Sequence, residues 1–466
     1  MSAWLPGFGF AVLLAAAIVW LLQESAWPAE GIAAEHAVSV AAGYSHTCAL
    51  TTEGAVRCWG RNDDGQLGDG TFRDRNEPAP EVDLGERAQS ITAGTSHTCA
   101  LTESGAVRCW GSNTFGELGA AAHEMCGENV PSECTSRPVT VSGLEQGAKQ
   151  VSAGLLHTCA VTQNGAVKCW GSNTWYVLGI PSDPYSHSVL PVEIGGLPGS
   201  AASVAAGGYH TCALMVSGTV HCWGNNRDGA LGNETIGESS AVPVPVLGLE
   251  GPVEQLVSGS SLCALTVTRH VLCWGGVPKP IEGLEGVVRL SSSASSGSMC
   301  AILEYGKAKC WGFNNYGQLG DGTVTSRRNP VEVSVISAPI VDMAIGAEHS
   351  CAVIEGGSIK CLGSDLAGQL GDGNPAQLRN LQPVRVVGFG TEIGREDAAT
   401  ASITVADGAV AATGQNPEVP VAAADDREDH SQGWTAWTAF AVVVLAAIAV
   451  SLAAFWVRRH GKQANS

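Results

Sequence analysis

The sequence predicts an all-β chain folded as a seven-bladed β-propeller, and three observations carry that expectation. The stretch Ser45-His46-Thr47-Cys48-Ala49-Leu50-Thr51-Thr52-Glu53-Gly54-Ala55-Val56-Arg57-Cys58-Trp59-Gly60 recurs six more times, with drift, down to the Cys351/Cys361 pair. The first cysteines of the seven copies, Cys48, Cys99, Cys159, Cys212, Cys263, Cys300 and Cys351, lie 51, 60, 53, 51, 37 and 51 residues apart. A unit of about 50 residues has room for four short strands, and radial repetition of such units protects their edges. An open solenoid needs polar terminal caps, which neither end repeat supplies.

Within the first unit, residues 38–43 read as the opening strand. Residues 47–51 and 55–59 are two strand-length runs joined by Thr52-Glu53-Gly54, a hairpin signature. Pairing about Glu53 sets Cys48 opposite Cys58, Ala49 opposite Arg57 and Leu50 opposite Val56. The period of two then puts Cys48, Leu50, Val56 and Cys58 on one face. A long loop, residues 60–71, leads to a proline-bordered fourth segment at residues 80–84, plainer in later copies as Pro138-Val139-Thr140-Val141 and Pro330-Val331-Glu332-Val333.

These residues carry a family resemblance. Ala-Gly-x-x-His-Thr-Cys-Ala-Leu, then Gly-x-Val-x-Cys-Trp-Gly, then Asn-x-x-Gly-Gln-Leu-Gly-Asp-Gly-Thr resembles the regulator of chromosome condensation repeat, most completely at residues 43–71 and 312–323. The resemblance spans roughly residues 36–390. It implies the propeller fold, but that fold carries guanine-nucleotide exchange, photoreception, enzyme inhibition and scaffolding, so it does not select a function. A formal charge of −19 argues against a nucleic-acid surface, which needs clustered Lys and Arg. An acidic surface serves solubility or steers a basic partner.

All sixteen cysteines fall into local pairs: Cys48/Cys58, Cys99/Cys109, Cys126/Cys134, Cys159/Cys169, Cys212/Cys222, Cys263/Cys273, Cys300/Cys310 and Cys351/Cys361. The hairpin register brings partners across from one another, so each pair is predicted to be a disulfide. Zinc is the competing chemistry and needs four converging ligands, which two thiolates on one hairpin do not supply. Reduced core cysteine is the third reading. A bridge closing so short a loop contributes about 2–3 kcal/mol by the chain-entropy argument and implies an oxidising compartment.

Residues 7–22 form an apolar run of signal-peptide length with no preceding Lys or Arg, and Gly31-Ile32-Ala33 offers a cleavage site; an uncleaved anchor is the alternative. The expected organisation is a signal or anchor over residues 1–33, the propeller over 34–390, a flexible acidic spacer over 391–433, a transmembrane helix over 434–457 and a basic cytoplasmic tail over 458–466. That topology anchors the protein in the cell membrane with the propeller outside.

In a meander the first and third connections of every repeat emerge on one side. All large length changes fall in the third: repeat two inserts residues 125–134, repeat three substitutes Trp175-Tyr176-Val177, and repeat five passes from Trp274-Gly275-Gly276 straight to Pro278. Tyr44, Tyr209, Phe72, Phe115, Trp175, Tyr176, Tyr185, Phe313 and Tyr316 all lie in these connections. Loop aromatics on one side of a rigid scaffold are binding material. The expected partner-binding residues are Trp175 and Tyr176 first, then Phe115, Tyr316, Tyr44, Tyr209, Phe72 and Phe313; the plainer reading folds them down to plug the propeller end.

Other repeated residues read as architecture. His46, His97, His157, His210 and His349 recur at one position, but repeats five and six carry Ser261-Leu262 and Ser298-Met299 there, against a symmetric metal ring. Arg57, Arg108, Lys168, His221, Leu272, Lys309 and Lys360 share a position whose long chain covers a small neighbour. Asp63, Asp64, Asp69, Asp321 and Asp372 sit in Gly-rich turns without EF-hand spacing. No nucleophile–base arrangement, phosphate loop, cofactor motif or metal-ligand set stands out, so a non-enzymatic role is expected. The leading reading is a membrane-anchored extracellular module that binds a protein, or a glycan, through its irregular face. The alternatives are an inhibitor of an exported enzyme, by resemblance to secreted β-lactamase-inhibiting propellers, a propeller enzyme, and a nucleotide exchange factor.

Overall fold

Seven small antiparallel sheets, one per repeat, surround a central channel in the computed structural model, which describes residues 34–390 apart from 122–123, 127–131 and 260. The innermost strands are Ala37–Ala42, Ala88–Ala93, Ala148–Ala153, Ala201–Ala206, Val253–Ser258, Val287–Ser292 and Ile340–Ile345, and all seven line the channel. The predicted propeller is therefore the observed architecture. Segments 1–33, 391–433, 434–457 and 458–466, with the signal, spacer, membrane helix and tail expected of them, lie outside the described residues. Among the described residues no helix is long and apolar enough to cross a membrane.

Hairpin register follows the reading from sequence. Cys48 pairs with Cys58, Ala49 with Arg57 and Leu50 with Val56. In the other six repeats Cys99 faces Cys109, Cys159 faces Cys169, Cys212 faces Cys222, Cys263 faces Cys273, Cys300 faces Cys310 and Cys351 faces Cys361. Each of these seven pairs is bonded as a disulfide, with Cα atoms 4.0 or 4.1 Å apart. The eighth expected bridge, Cys126 to Cys134, is also formed, but not between facing residues. Strand register sets Cys126 against Ser132 and Cys134 against Glu124, so this bond runs diagonally between Cα atoms 5.9 Å apart. The insertion thus corrects the expectation that every pair lies directly across a ladder, because its eight-residue separation does not match the ten of the repeat hairpin. No cysteine is left free.

The outer strands are less regular. Blades 3 to 7 have four strands, blade 5 ending in the two-residue Lys279–Pro280. The insertion of blade 2 adds a fifth, Glu124–Cys126, paired with Ser132–Thr140. Blade 1 departs from expectation: its sheet has three strands, and residues 80–84 do not form a fourth. Ala79 N–H donates to Cys58 O and Val82 N–H to Val56 O. Their spacing of three breaks the period of two that a ladder requires, and Pro80 between them has no N–H to give.

Apolar cores form between neighbouring blades. Cys48, Leu50, Val56 and Cys58 of blade 1 pack with Leu67, Val82 and Leu84 against Ala100 and Trp110 of blade 2. On the channel side, polar chains cap the open edge of the next blade. Gln150 bonds both the N–H and C=O of Val204, and Gln255 does the same to Leu290. Asp342 accepts from Val40 N–H at 3.1 Å while pairing with Arg289 at 2.6 Å. The ring closes where Glu35 N–H donates to Gly388 O, Gly390 N–H donates to Glu35 O, and the Glu35 carboxylate pairs with Arg57.

Candidate recognition face

The first and third connections do share one face: Arg61 N–H donates to Ser45 O, Ser112 to Ser96 O, Asn225 to Tyr209 O and Ser364 to Glu348 O. Each long loop is held there by the following blade. Trp110 Nε1 and Thr98 Oγ1 of blade 2 both donate to the Gln66 carbonyl of blade 1, each at 2.9 Å. Trp170 and Thr158 meet at Glu117 O, Trp223 and Thr211 at Val177 O, and Trp59 and Thr47 at Gln369 O. The Leu-Gly that follows is set by the same tryptophan. Gly68 has a left-handed φ of 70° and sits where an added Cβ would be 2.8 Å from Trp110 Nε1, so no other residue fits there.

The repeated histidines complete these seams, as architecture. His46 Nε2 lies 2.9 Å from Thr98 Oγ1, His97 3.0 Å from Thr158, His157 2.9 Å from Thr211, His210 2.8 Å from Ser258 and His349 2.7 Å from Thr47. The threonine protons point to loop carbonyls, so the hydrogen-bond network assigns the proton to Nε2 in the four His–Thr pairs. Burial holds the rings neutral, with pKa lowered to about 3 for His46 and His157 and about 4 for His97, His210 and His349.

The loop aspartates are likewise engaged. Asp69 Oδ1 accepts from Thr71 N–H and Oγ1–H and Oδ2 from Arg75, and Asp321 repeats this with Thr323 and Arg327. No group of three or more acidic, His or Cys side chains able to hold a metal occurs among the described residues.

The aromatic residues expected to bind a partner divide into groups. In blade 3 Trp175 and Tyr176 form a short turn with left-handed φ of 63° and 67°. Tyr176 occupies the seat of Gly65, three residues after the loop asparagine (Asn173 here, Asn62 in blade 1), and Gly65 has φ 79°. Both are half-buried, and the Arg227 guanidinium of blade 4 lies 4.2 Å over the Trp175 ring. Arg227 also borders a cleft of about 230 Å³ with Tyr209 and Leu155. A second group spans blades 6, 7 and 1. Tyr316 hydrogen-bonds Glu348, whose negative charge, with Tyr44 nearby, raises the phenol pKa above its usual 10.0. Phe72 and Phe115 stand apart and exposed, while Phe313 is 59% exposed at the seam of blades 5 and 6. On the expected face these eight aromatics thus fall into two clusters and three outlying phenylalanines.

The RCC1-like domain pattern matches residues 22–279, and the RCC1 repeat pattern matches residues 306–353. The ultraviolet-B receptor UVR8 of Arabidopsis thaliana is 30% identical over 358 residues, 72% of this chain and 78% of the receptor. The chain belongs to the RCC1-like family. Two solved structures superpose with TM-scores of 0.61: human WBSCR16, 24% identical over 69% of this chain and 88% of its own, and Prp20p of Saccharomyces cerevisiae, 21% identical over 76% and 87%.

Three features of this RCC1-like face escape a reading by repeats. Arg227 lies in a different blade from Trp175, and only its place as a basic residue in a loop that elsewhere carries Asp63 marks it. Glu348 sits in a first connection remote in sequence from Tyr316. Glu117 occupies the seat of Gln66; 1% exposed, it is driven by burial to a pKa of about 7, with Asp64 adding to the rise.

Proposed function

We propose that this RCC1-like propeller is a membrane-anchored recognition module that displays its loop face outside the cell and binds a protein there. The observation that carries the reading is the Trp175–Arg227–Tyr209 group together with Tyr44 and Tyr316 on the same face of a ring braced in every blade by a disulfide. Aromatic and Arg side chains at the rim of shallow clefts are what protein interfaces concentrate as anchors. Protein binding is within the range of the fold, since Prp20p binds Gsp1p and histones. The charge of −19 favours a partner with a basic patch. The placement outside rests on the paired cysteines, the leading apolar run and the apolar stretch before the basic tail.

Crosslinking capture on intact cells tests the face. The full chain should recover a partner that a Trp175→Ala/Tyr176→Ala variant recovers at least tenfold less well; equal recovery removes this face from the interface. Thiol titration of the unreduced protein tests the compartment, with no free thiols expected.

A further inference from the structure

The seam between blades 5 and 6 lacks a part that other seams possess. Trp59, Trp110, Trp170, Trp223 and Trp274 each donate the indole N–H to a carbonyl of the preceding blade's long loop at 2.8–3.0 Å. Trp311 does not. Blade 5 runs from Trp274 through Gly275-Gly276 to Lys279–Pro280, so the loop that Trp311 would meet is absent. The residue is 8% exposed, and its N–H makes no hydrogen bond among the described residues.

The loops also have a second seat, which the strand register identifies. Gly60 pairs with Arg75, Gly111 with Thr135, Gly171 with Ser188, Gly312 with Arg327 and Gly363 with Asn380. The next residue carries the preceding blade's loop glycine: Gly368 lies on Asn76, Gly65 on Ser136, Gly116 on Val189 and Gly317 on Leu381. Asn76 and Ser136 also accept loop N–H groups through their carbonyls, from Gly373 at 2.8 Å and Gly70 at 2.9 Å. In blade 6 this seat is Arg328, which is exposed and without an ion-pair partner among the described residues. Between Trp311 and Arg328 is a cavity of about 440 Å³, lined also by Phe313, Ser261 and Met299. Met299 stands where blades 1 to 4 carry threonine.

From this geometry we infer that the seam of blades 5 and 6 is a slot for an acidic, glycine-containing loop of a partner protein, which takes in trans the place of the loop that blade 5 lacks. The partner's backbone carbonyl accepts from Trp311 Nε1–H, a following N–H meets the Arg328 carbonyl, and a carboxylate pairs with the Arg328 guanidinium. The acidic character follows from charge complementarity to Arg328 and from the chain's own loops, which carry Asp63, Asp64 and Asp69 in blade 1 and Asp321 in blade 6. The inference rests on the loop face being the recognition face, and it specifies the chemistry at this one seam only, where the local charge of Arg328 rather than the overall −19 selects the partner's loop.

The test uses a capped, fluorescent peptide copying residues 61–71, Arg-Asn-Asp-Asp-Gly-Gln-Leu-Gly-Asp-Gly-Thr, titrated into the detergent-solubilised full chain and followed by anisotropy. Saturable binding is expected, weakened about tenfold by Trp311→Phe, which removes one hydrogen bond. Arg328→Glu, an exposed change that leaves the core intact, should weaken it at least as much, and an Asp-to-Asn peptide should bind less well. Grafting residues 62–71 between Gly275 and Gly276 should fill the slot in cis and abolish binding. No saturable binding to the wild-type chain, or equal binding by the Trp311 and Arg328 variants, overturns the inference. The capture experiment reads the Trp175 end of the face, so failure of the slot and failure of the recognition reading are separate results.

Discussion

His97 Nε2 lies 3.0 Å from Thr158 Oγ1, across the seam between blades 2 and 3, and the same hydroxyl donates to the Glu117 carbonyl at 2.9 Å. A neutral imidazole, a hydroxyl and a loop carbonyl thus form one directed chain.

The buried histidines should make the propeller acid-labile. Their folded pKa values, about 3 to 4, are depressed below the ordinary 6.5. The unfolded chain therefore binds more protons below pH 6.5. Their contribution is present above that pH and lost as pH falls toward 4, at up to about 3 kcal/mol for a site like His97. The urea midpoint of the oxidised protein should fall steeply from pH 6.5 to 4, and His97→Gln should make that fall shallower. An unchanged slope would contradict the buried neutral state.

Glu117 acts in the opposite sense. With its folded pKa raised from 4.5 to about 7, its contribution is present below pH 4.5 and lost as pH rises through 7. Glu117→Gln keeps the shape and removes the titration. The variant should be more stable than the wild type at pH 8, by up to about 3 kcal/mol, and indistinguishable near pH 4.5. Urea midpoints at the two pH values read this difference.

Two tryptophans of the same triplet should respond differently to one substitution. Trp110→Phe removes the bond to Gln66 O and should cost about 1–2 kcal/mol beyond the change in packing. Trp311→Phe has no such bond to lose and should cost less by about that amount. Equal losses in thermal denaturation would mean that the Trp311 N–H is already satisfied.

Tyr176→Gly should raise stability while lowering partner capture. A tyrosine at φ 67°, in a seat that is glycine in blades 1, 2, 4, 6 and 7, costs about 1 kcal/mol. Glycine relieves it and deletes the ring. A variant that gains neither stability nor a defect in capture would leave the strained tyrosine without a role.

Some of this was legible from particular residues. Cys48 and Cys58 are ten positions apart across one turn, so an alternating pattern and a glycine settle their pairing without knowledge of the rest of the chain. Cys126 and Cys134 were legible as partners but not as a diagonal pair, since no second copy of the insertion restates its register. Recurrence of the repeat hairpin near fifty-residue spacing made the ring the natural closure. The aromatic face was legible only by side: that Tyr44 and Tyr316 share an end of the propeller follows from strand direction. That Tyr316 meets Glu348, or that Arg227 covers Trp175, depends on loop paths no period describes.

The hairpin, its register, the disulfide partners and the number of blades can be read from the chain alone, because those contacts are local and each is restated in every repeat. What lies across each seam emerges with the folded ring: which carbonyl a tryptophan meets, which hydroxyl a histidine holds, and that Trp311 and Arg328 face a gap. Those contacts join residues 32 to 61 positions apart in successive repeats, or the two ends of the ring. Their partners are set by how one blade's loop lies against the next blade, a packing relation between repeats rather than within one.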